Sequence, residues 1–442
     1  MSKFIVVGKG GREYAMAWLL SQKHQVYSLG ASDAIRRFAP PLEEKKQISL
    51  ENTLPEWILP KLCEFSDAVF LVGPEQPLAS GWVDQVQSYL PQAKILGPNQ
   101  QASKLESSKV WSKYFLLRSN VPTADFEVIS KLEEFSTAIR KFSPPYVIKA
   151  DGLAGGKGVG IFSEKEEAYQ FAKKILTTTE LGTHQQCLIE RYLNGKELSL
   201  FLLLDGQRAV QIGIAQDYKR LLDGNRGPNT GGMGAYCPTN LTPEEEKSLQ
   251  HYVIHPILHA LRQENLFYKG FLYLGLMQTQ KGFFVLELNV RMGDPETQVV
   301  FPLLGNDLPR LLEKASEGNL NALEGINYQP LKNCFGKCPQ PKQFAVCVVL
   351  ATPDYPKKQK KSYPLACLEQ LEFELQNQKD SYLFHAGTKY LQGQWWTSGG
   401  RVLNVVSIGK SQKEARQKCY QWIQRLKSLP LKWRQDIAAL RS

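Results

Sequence analysis

Glu287-Leu288-Asn289-Val290-Arg291-Met292-Gly293-Asp294-Pro295-Glu296-Thr297 follows an apolar run, Gly282 to Leu288, that reads as a buried strand. Alternate residues of a strand share a face, so Glu287, Asn289 and Arg291 are expected to project together from its end. Carboxylate and amide oxygens suit a hard cation such as Mg²⁺, which takes few protein ligands and completes its shell with water and nucleotide phosphates. A guanidinium beside them matches a phosphate, or the charge of a phosphoryl-transfer transition state. In isolation a salt-bridged strand end would look the same. The surrounding chain separates the two readings.

Upstream lie Gln216-Asp217-Tyr218-Lys219-Arg220 and then Gly227-Pro228-Asn229-Thr230-Gly231-Gly232-Met233-Gly234. A long connection in a compact domain is usually functional. Its small residues let backbone amides approach an anion, with Asp217, Lys219 and Arg220 at the mouth. Before it, Cys187–Tyr192 and Glu197–Leu204 read as strands joined by Leu193-Asn194-Gly195-Lys196. That joint is either a nucleotide hinge, with edge groups for adenine and a carboxylate for ribose, or a plain antiparallel hairpin.

Further back, Asp151-Gly152-Leu153-Ala154-Gly155-Gly156-Lys157-Gly158 connects the apolar runs Val147–Ala150 and Val159–Phe162. P-loop spacing is absent, because glycine rather than a hydroxyl residue follows the lysine. The segment is expected to be a hairpin tip that folds Lys157 over nucleotide phosphates as a mobile lid, with Lys149 on the strand beneath. Helices at Val110–Ser119 and Leu132–Phe142 and a strand near Phe126–Ile129 precede it.

Residues 1 to about 105 alternate strands (Lys3–Val7, Val26–Leu29, Ala68–Val72, Lys94–Leu96) with helices (Glu13–Gln22, Glu51–Glu64, Leu78–Tyr89). Alternation of this kind predicts a parallel, doubly wound sheet with ligands at the carboxyl ends of its strands. Two loops lie there, Gly8-Lys9-Gly10-Gly11-Arg12-Glu13 and Gly73-Pro74-Glu75. The first lacks the third glycine of a dinucleotide fingerprint, where Glu13 stands, so it is expected to hold one phosphate by backbone amides rather than NAD.

After about residue 328, lysine- and proline-rich stretches (Asn333–Lys342, Pro353–Lys361) separate a unit of short strands carrying His385-Ala386-Gly387-Thr388-Lys389 and Ser398-Gly399-Gly400-Arg401-Val402. A helix near Asp307–Glu317 comes before it, and a basic amphipathic helix, Ser411 to Leu429, closes the chain as a solvated face.

Bulk properties agree with an enzyme of several domains. The 442 residues exceed one ordinary core. No apolar run approaches the roughly 18 residues of a membrane span, and Met1–Gly8 reads as a strand running into glycine, not a signal peptide. A cytoplasmic location is expected. Net charge is +11, but the lysines and arginines are dispersed, which suits steering of small anions rather than nucleic acid. The eight cysteines are scattered; Cys334 and Cys338 form a poor zinc site and reduced thiols are expected. His251, His255 and His259 recur along one helical pattern, Glu244–Gln263, without an acidic partner, so a histidine-bearing helix surface is expected rather than a metal site.

Several blocks in one order carry a family resemblance: GKGGREYA at 8–15, GPEQPL at 73–78, SK at 108–109, VIKADGLAGGKGV at 147–159, QDYKR with GPNTGGMGAY at 216–236, ELNVRMGDPETQ at 287–298, FHAGTK at 384–389 and SGGRVL at 398–403. Nearly end to end, the chain resembles the phosphoribosylamine–glycine ligases (glycinamide ribonucleotide synthetases) of the ATP-grasp superfamily. The resemblance implies an α/β protein with three parts. These are an N-terminal doubly wound parallel sheet (1–105), a central two-part ATP-grasp domain (106–327, its nucleotide lid about 122–195) and a small C-terminal β-rich domain (328–442). It departs at Tyr14, where relatives usually have His, at the Ala351–Pro356 turn, and at the Ile437–Arg441 ending.

The implied activity is ATP-dependent ligation of glycine to 5-phosphoribosylamine through glycyl phosphate. The alternative is another ATP-grasp carboxylate–amine ligase with a different acid. By matching positions, Glu287 and Asn289 would hold Mg²⁺ or Mn²⁺. Lys109, Lys149, Gly155, Gly156 and Lys157 would contact ATP phosphates, Glu190, Tyr192 and Leu193 adenine, and Glu197 ribose. Arg291, Asp294, Asp217 and Lys219 would serve the acyl-phosphate and glycine site. Gly10, Gly11, Glu13, Glu75, Arg220, Lys389 and Arg401 would face phosphoribosylamine. Small molecules are the implied partners, with no nucleic acid or membrane, in a monomer or weak homodimer.

Overall fold

The computed structural model describes residues 1–43, 48–51, 53–155, 157–178, 185–321, 329–331, 335–338, 341–366 and 368–439. Gly156, Cys334 and parts of the 333–342 stretch and of the 437–441 ending, all singled out above, lie outside the described residues.

At the amino end, four parallel strands stand in the order Gln25–Leu29, Lys3–Val7, Val69–Val72, Lys94–Leu96. Burial explains why Phe4-Ile5-Val6-Val7 is apolar at every position. Phe4 and Val6 enter one core and Ile5 and Val7 the other, as in a sheet covered on both faces. Helix Gly11–Ser21 packs on the first face through Tyr14, Ala15 and Met16, and helix Trp82–Tyr89 on the second through Trp82, Val83 and Val86. Two expected helices are shorter. Leu78–Tyr89 divides into Glu75–Ala79 and Trp82–Tyr89, because Gly81 sits at φ 80°. Among the described residues of Glu51–Glu64, only Glu56–Cys63 is helical, a 3₁₀ turn followed by an α-helix with Pro60 in its first turn.

The middle of the chain builds a four-stranded antiparallel sheet in the order Phe126–Ile129, Cys187–Arg191, Tyr146–Ala150, Val159–Phe162. The glycine-rich segment is the tip between its last two strands, as expected. Helix Lys165–Thr177 covers this sheet and gives it a core of its own, with Ala168, Ala172 and Ile175 against Ile148 and Ile189.

A longer sheet runs through the rest. Its main order is Gly282–Asn289, Lys269–Thr279, Lys196–Asp205, Ala209–Asp217, Gly234–Cys237, Phe344–Ala351, Arg401–Gly409, Ser381–His385. Cys187–Arg191 and Lys196–Asp205 therefore belong to different sheets, and 192–195 is a joint between them, not a hairpin turn. The C-terminal strands are not a detached unit either: Gly234 pairs with Val348 and Cys237 with Ala345, so one sheet crosses the 328 boundary. The division at 105/106 and 327/328 is a proposal about folding units.

Helix Gln412–Gln424 buries Ala415, Cys419 and Ile423 on the Phe344–Ala351 and Arg401–Gly409 strands. Among the described residues no helix is long and apolar enough to cross a membrane, and the described cysteines are free thiols. The histidine-bearing segment is helical throughout, with a π-turn at Gln250–Ile254. No three His, Cys, Asp or Glu gather as a metal cage among the described residues.

Candidate functional site

Two buried lysines are organised around one buried carboxylate, Glu190. Lys149, on the strand beneath the hairpin, places Nζ 2.9 Å from Glu190 Oε2 and donates to the Leu286 carbonyl at 3.2 Å. Lys113 lies 3.2 Å from the same oxygen and donates to Thr123 Oγ1 at 2.7 Å. Burial lowers Lys113 to about 8 against the pull of Glu190. Glu190 is itself held below the ordinary carboxylate range, because Lys149 and Lys113 outweigh its burial. Its Oε1 has no partner among the described residues.

Lys109, at the start of helix Lys109–Arg118, donates to the Gly152 carbonyl at 2.7 Å. Asp151 accepts from Ser108 Oγ and from the Val110 amide at 3.1 Å each, so the hairpin root is tied to the helix that carries Lys109. Lys157 and Gly155 are exposed at the tip. At the joint, Tyr192 is exposed and Leu193 half-buried, while Glu197 accepts from Lys219.

Lys219 also faces Glu287 Oε1 at 3.8 Å. Burial works against the Glu287 charge, but Lys219, Lys149, Lys109 and Arg291 outweigh it and hold the carboxyl at about 2. Gly275 sits opposite, where a Cβ would come within 2.9 Å of Glu287 Cγ. Asn289 is buried and its Nδ2 has no partner among the described residues. Asp217 lies in the same cluster with Oδ1 unpartnered among the described residues. Burial and the neighbouring Glu197, Glu296 and Glu287 push its carboxyl well up against Lys219.

The strand ends at Asn289, so alternation alone does not orient Arg291. Carboxylates do: Arg291 Nη2 is 2.7 Å from Glu106 Oε1, and Nε is 3.5 Å from Glu75 Oε2. Glu106 also accepts from the Val290 amide at 2.9 Å. Burial raises Glu106 to about 7 in spite of Arg291, and Arg291 stays charged because Glu106 and Glu75 outweigh its own burial.

Beyond this cluster opens a cavity of about 690 Å³, lined by Gly10, Gly11, Lys157, Asp294, Thr388 and Arg401 among others. Arg401 Nη1 donates to the carbonyls of Gly231 at 2.6 Å and Asp294 at 2.7 Å. Asp294 accepts from Gln298 at 2.9 Å and from the Arg12 amide at 3.3 Å. Its burial is outweighed by Arg401 and Arg12, so it stays ionised. Gly11 must lack a side chain, since a Cβ would meet Asn404 Nδ2 at 2.5 Å.

Glu13 turns away from the cavity. Its carboxylate accepts from the Gly10 amide and from Arg12 Nε at 2.6 Å each, and it packs where a Gly73 Cβ would lie 2.0 Å from Oε1. It braces the loop from beneath. Arg220 sends its guanidinium to the Gly227 carbonyl at 2.8 Å. Lys389, next in sequence to Thr388, is half-exposed.

Three family models cover the chain in order: the phosphoribosylglycinamide synthetase N domain over 2–106, its ATP-grasp (A) domain over 107–297, and its C domain over 345–440. The chain belongs to the phosphoribosylglycinamide synthetase family. A phosphoribosylamine–glycine ligase of Caldanaerobacter subterraneus is 34% identical over 449 residues, spanning 99% of each chain. The crystal structure of a phosphoribosylamine–glycine ligase from Thermotoga maritima matches with a TM-score of 0.77 at 32% identity, over 98% of this chain and 100% of that one. The biotin carboxylase domain of a 2-oxoglutarate carboxylase from Hydrogenobacter thermophilus shares the fold alone, at TM-score 0.68 and 14% identity, over 98% and 91%.

In this phosphoribosylglycinamide synthetase chain, sequence reasoning passed over Lys113, Glu106 and Arg12. Lys113 and Glu106 flank the noted Ser108-Lys109 pair, and their charge amid helical apolar positions was the available signal. Arg12 reaches the Met292 carbonyl at 2.8 Å, a contact no local pattern announces.

Proposed function

We propose that the chain is an ATP-dependent ligase of purine biosynthesis. It joins glycine to 5-phosphoribosylamine through glycyl phosphate and releases glycinamide ribonucleotide, ADP and phosphate. The observation that carries this reading is the cavity. Its wall brings the tip of the glycine-rich hairpin, the Gly10–Gly11 turn and the Asp294–Arg401 pair together, next to a cluster of cations around Glu287 and Asn289.

The division of labour follows from charge. Phosphoryl transfer requires positioning and neutralisation more than covalent chemistry. Lys109, Lys149 and Lys157 hold nucleotide phosphates, Tyr192 and Leu193 line adenine, and Glu197 takes the ribose. Glycine's carboxylate attacks the terminal phosphorus, the bond to the bridging oxygen breaks and ADP leaves with its electrons, and Arg291 stabilises the charge that develops there. The amine of phosphoribosylamine then attacks the acyl carbon. Phosphate leaves with the C–O bonding electrons, and the amine's surplus proton passes to phosphate or solvent. Gly10, Gly11, Glu75 and Arg401 orient the phosphorylated amine.

Glu287 and Asn289 fit a divalent cation. Both are oxygen donors, Asn289 Oδ1 takes a long 3.5 Å contact from Arg291 Nη2, and without a third protein ligand among the described residues phosphate oxygens would complete the shell. Mg²⁺ or Mn²⁺ held there would neutralise nucleotide phosphate charge. We take the enzyme to be cytoplasmic and a monomer or weak homodimer.

Glycine labelled with ¹⁸O in its carboxylate tests the order of chemistry. Activation of glycine predicts phosphate carrying one label once ATP and phosphoribosylamine are present. Unlabelled phosphate from an active preparation would overturn the mechanism.

A further inference from the structure

Lys219 faces Glu197 and Glu287, but the chain that follows it has little packing of its own. Beyond Lys219 comes a two-stranded hairpin, Arg220–Leu222 against Arg226–Asn229, with Arg220 opposite Asn229 and Leu222 opposite Arg226. Residues 224–228 are exposed, and none of the described residues 220–229 enters a hydrophobic core. An isolated two-stranded hairpin is marginally stable at best in water, so its position must be imposed from outside.

The closing segment of the chain imposes it. Arg434 is 1% exposed. Its Nη1 donates to the Arg220 carbonyl at 3.0 Å, and Nη1 and Nη2 both donate to Asn225 Oδ1 at 3.1 Å. Nε and Nη2 donate to the Asp436 carboxylate at 2.7 and 2.6 Å. Every N–H of the guanidinium thus has an acceptor. The same group lies over the Tyr218 ring, 4.9 Å from its centroid. Backbone amides add to the clasp. Those of Gly224 and Gln435 donate to Asp436 Oδ2 and Asp223 Oδ1 at 2.8 Å each, and that of Ala438 donates to Tyr218 Oη at 2.9 Å. Tyr218 and Arg220, the two neighbours of Lys219, are therefore both held by residues 434–438.

The clasp is itself fixed. Ile437 and Ala438 are fully buried, and a Cβ on Gly234 would come within 2.9 Å of Ile437 Cγ1. Helix Gln412–Gln424 supports it from behind. Arg416 donates to the carbonyls of Gln435 at 2.6 Å and Ile437 at 3.0 Å, and Tyr420 Oη donates to that of Arg434 at 2.7 Å. Packing and hydrogen bonds behind a functional group keep it in productive geometry. A misplacement of about 1 Å can cost roughly 10²-fold in rate.

We infer that Arg434 is a positioning residue for the ligase reaction: by holding Tyr218 and Arg220 it sets Lys219 between Glu197 and Glu287. The inference rests on reading that cluster as the site of phosphoryl transfer. Arg434 is closed in by its partners, so it acts through Lys219 and not on a substrate.

A double-mutant cycle on the full-length protein separates this role from a merely structural one. Arg434→Lys keeps the charge and loses the planar fork. With ATP, Mg²⁺, glycine and phosphoribosylamine, its kcat should fall roughly 10- to 100-fold. Lys219→Met is itself expected to be slow. In that background Arg434→Lys should have little further effect, because residues that act as a unit do not multiply their losses. A loosened fold would instead cost the same factor in both backgrounds. Asp436→Asn removes one charge from the clasp and leaves the guanidinium in place. It should repeat the pattern more weakly, and it decides the matter if Arg434→Lys does not fold. Wild-type turnover in both clasp variants or in Lys219→Met, or equal factors in the two backgrounds, would overturn the inference and leave the ligase reading standing. Wild-type protein that releases no phosphate in response to glycine and phosphoribosylamine would overturn both.

Discussion

Asn289 shows why single residues in this site are under tension. It is 7% exposed, yet its Nδ2 finds no partner among the described residues, and buried polar atoms are nearly always paired. A ligand that engages the amide relieves that cost. Glu287→Gln and Asn289→Ala should each reduce turnover by roughly 10²–10³-fold, the effect of losing one preorganised electrostatic group, with circular dichroism unchanged. Near-normal turnover in both variants would sink the metal assignment. Glu287 carries a second, pH-dependent consequence. Its folded value of about 2 lies below the reference 4.5, since the surrounding cations outweigh burial. A depressed carboxylate stabilises the fold above its unfolded value and loses that contribution as pH falls through its folded value. Metal-free wild type should therefore melt above Glu287→Gln at neutral pH. The gap should shrink as pH falls from about 4.5 towards 2; a gap indifferent to pH would contradict the electrostatic account.

Among the elements, the joint at 192–195 and the 151–158 hairpin tip are the ones proposed to border the nucleotide. Gly195 allows the joint because its Cα lies against the backbone of the Lys269–Thr279 strand. A Cβ there would sit 2.1 Å from the Gln278 carbonyl oxygen. Backbone cannot give way as a side chain does, and overpacking costs roughly 1–3 kcal/mol. Gly195→Ala should therefore weaken ATP binding about ten-fold if that strain falls on the closed arrangement of the joint. Fluorescence titration with a nucleotide analogue reads it, and unchanged affinity would show that the joint does not bear on the site. For the hairpin, amide exchange across 151–155 and 157–160 should slow when saturating ATP and Mg²⁺ are added; no change would remove its role as a lid. Both strands beside the joint were legible from their apolar runs. Their partners were not, since period-two alternation says that a segment is a strand but not which neighbour it joins.

On the scale of the whole molecule, the cavity exists because the Gly10–Gly11 turn, the hairpin tip and the Thr388 and Arg401 segments converge on it. A chain of net charge +11 draws anions toward such a cleft. kcat/KM for phosphoribosylamine should accordingly fall as ionic strength rises, with kcat little changed, because screening weakens long-range attraction and not bound contacts. A kcat/KM insensitive to salt would remove steering from the account.

Local chemistry determined what could be read directly. Alternating strands and helices in the first hundred residues imply the parallel sheet, glycine with lysine between two apolar runs implies the hairpin, and a strand ending in Glu287 and Asn289 offers oxygen donors of the kind a hard cation takes. Each is a property of neighbours along the chain, where steric preference and hydrophobic period act. Tertiary structure alone decided the rest. It turned Glu13 inward beneath Gly73, gave Arg291 to Glu106 and Glu75, and shared Glu190 between Lys149 and Lys113. It also ran one sheet from the Gly282–Asn289 edge into the C-terminal strands through Gly234–Cys237. Such pairings join residues far apart in sequence, and their energies depend on burial and on which charges come within a few ångströms, quantities that exist only once the chain has closed on itself.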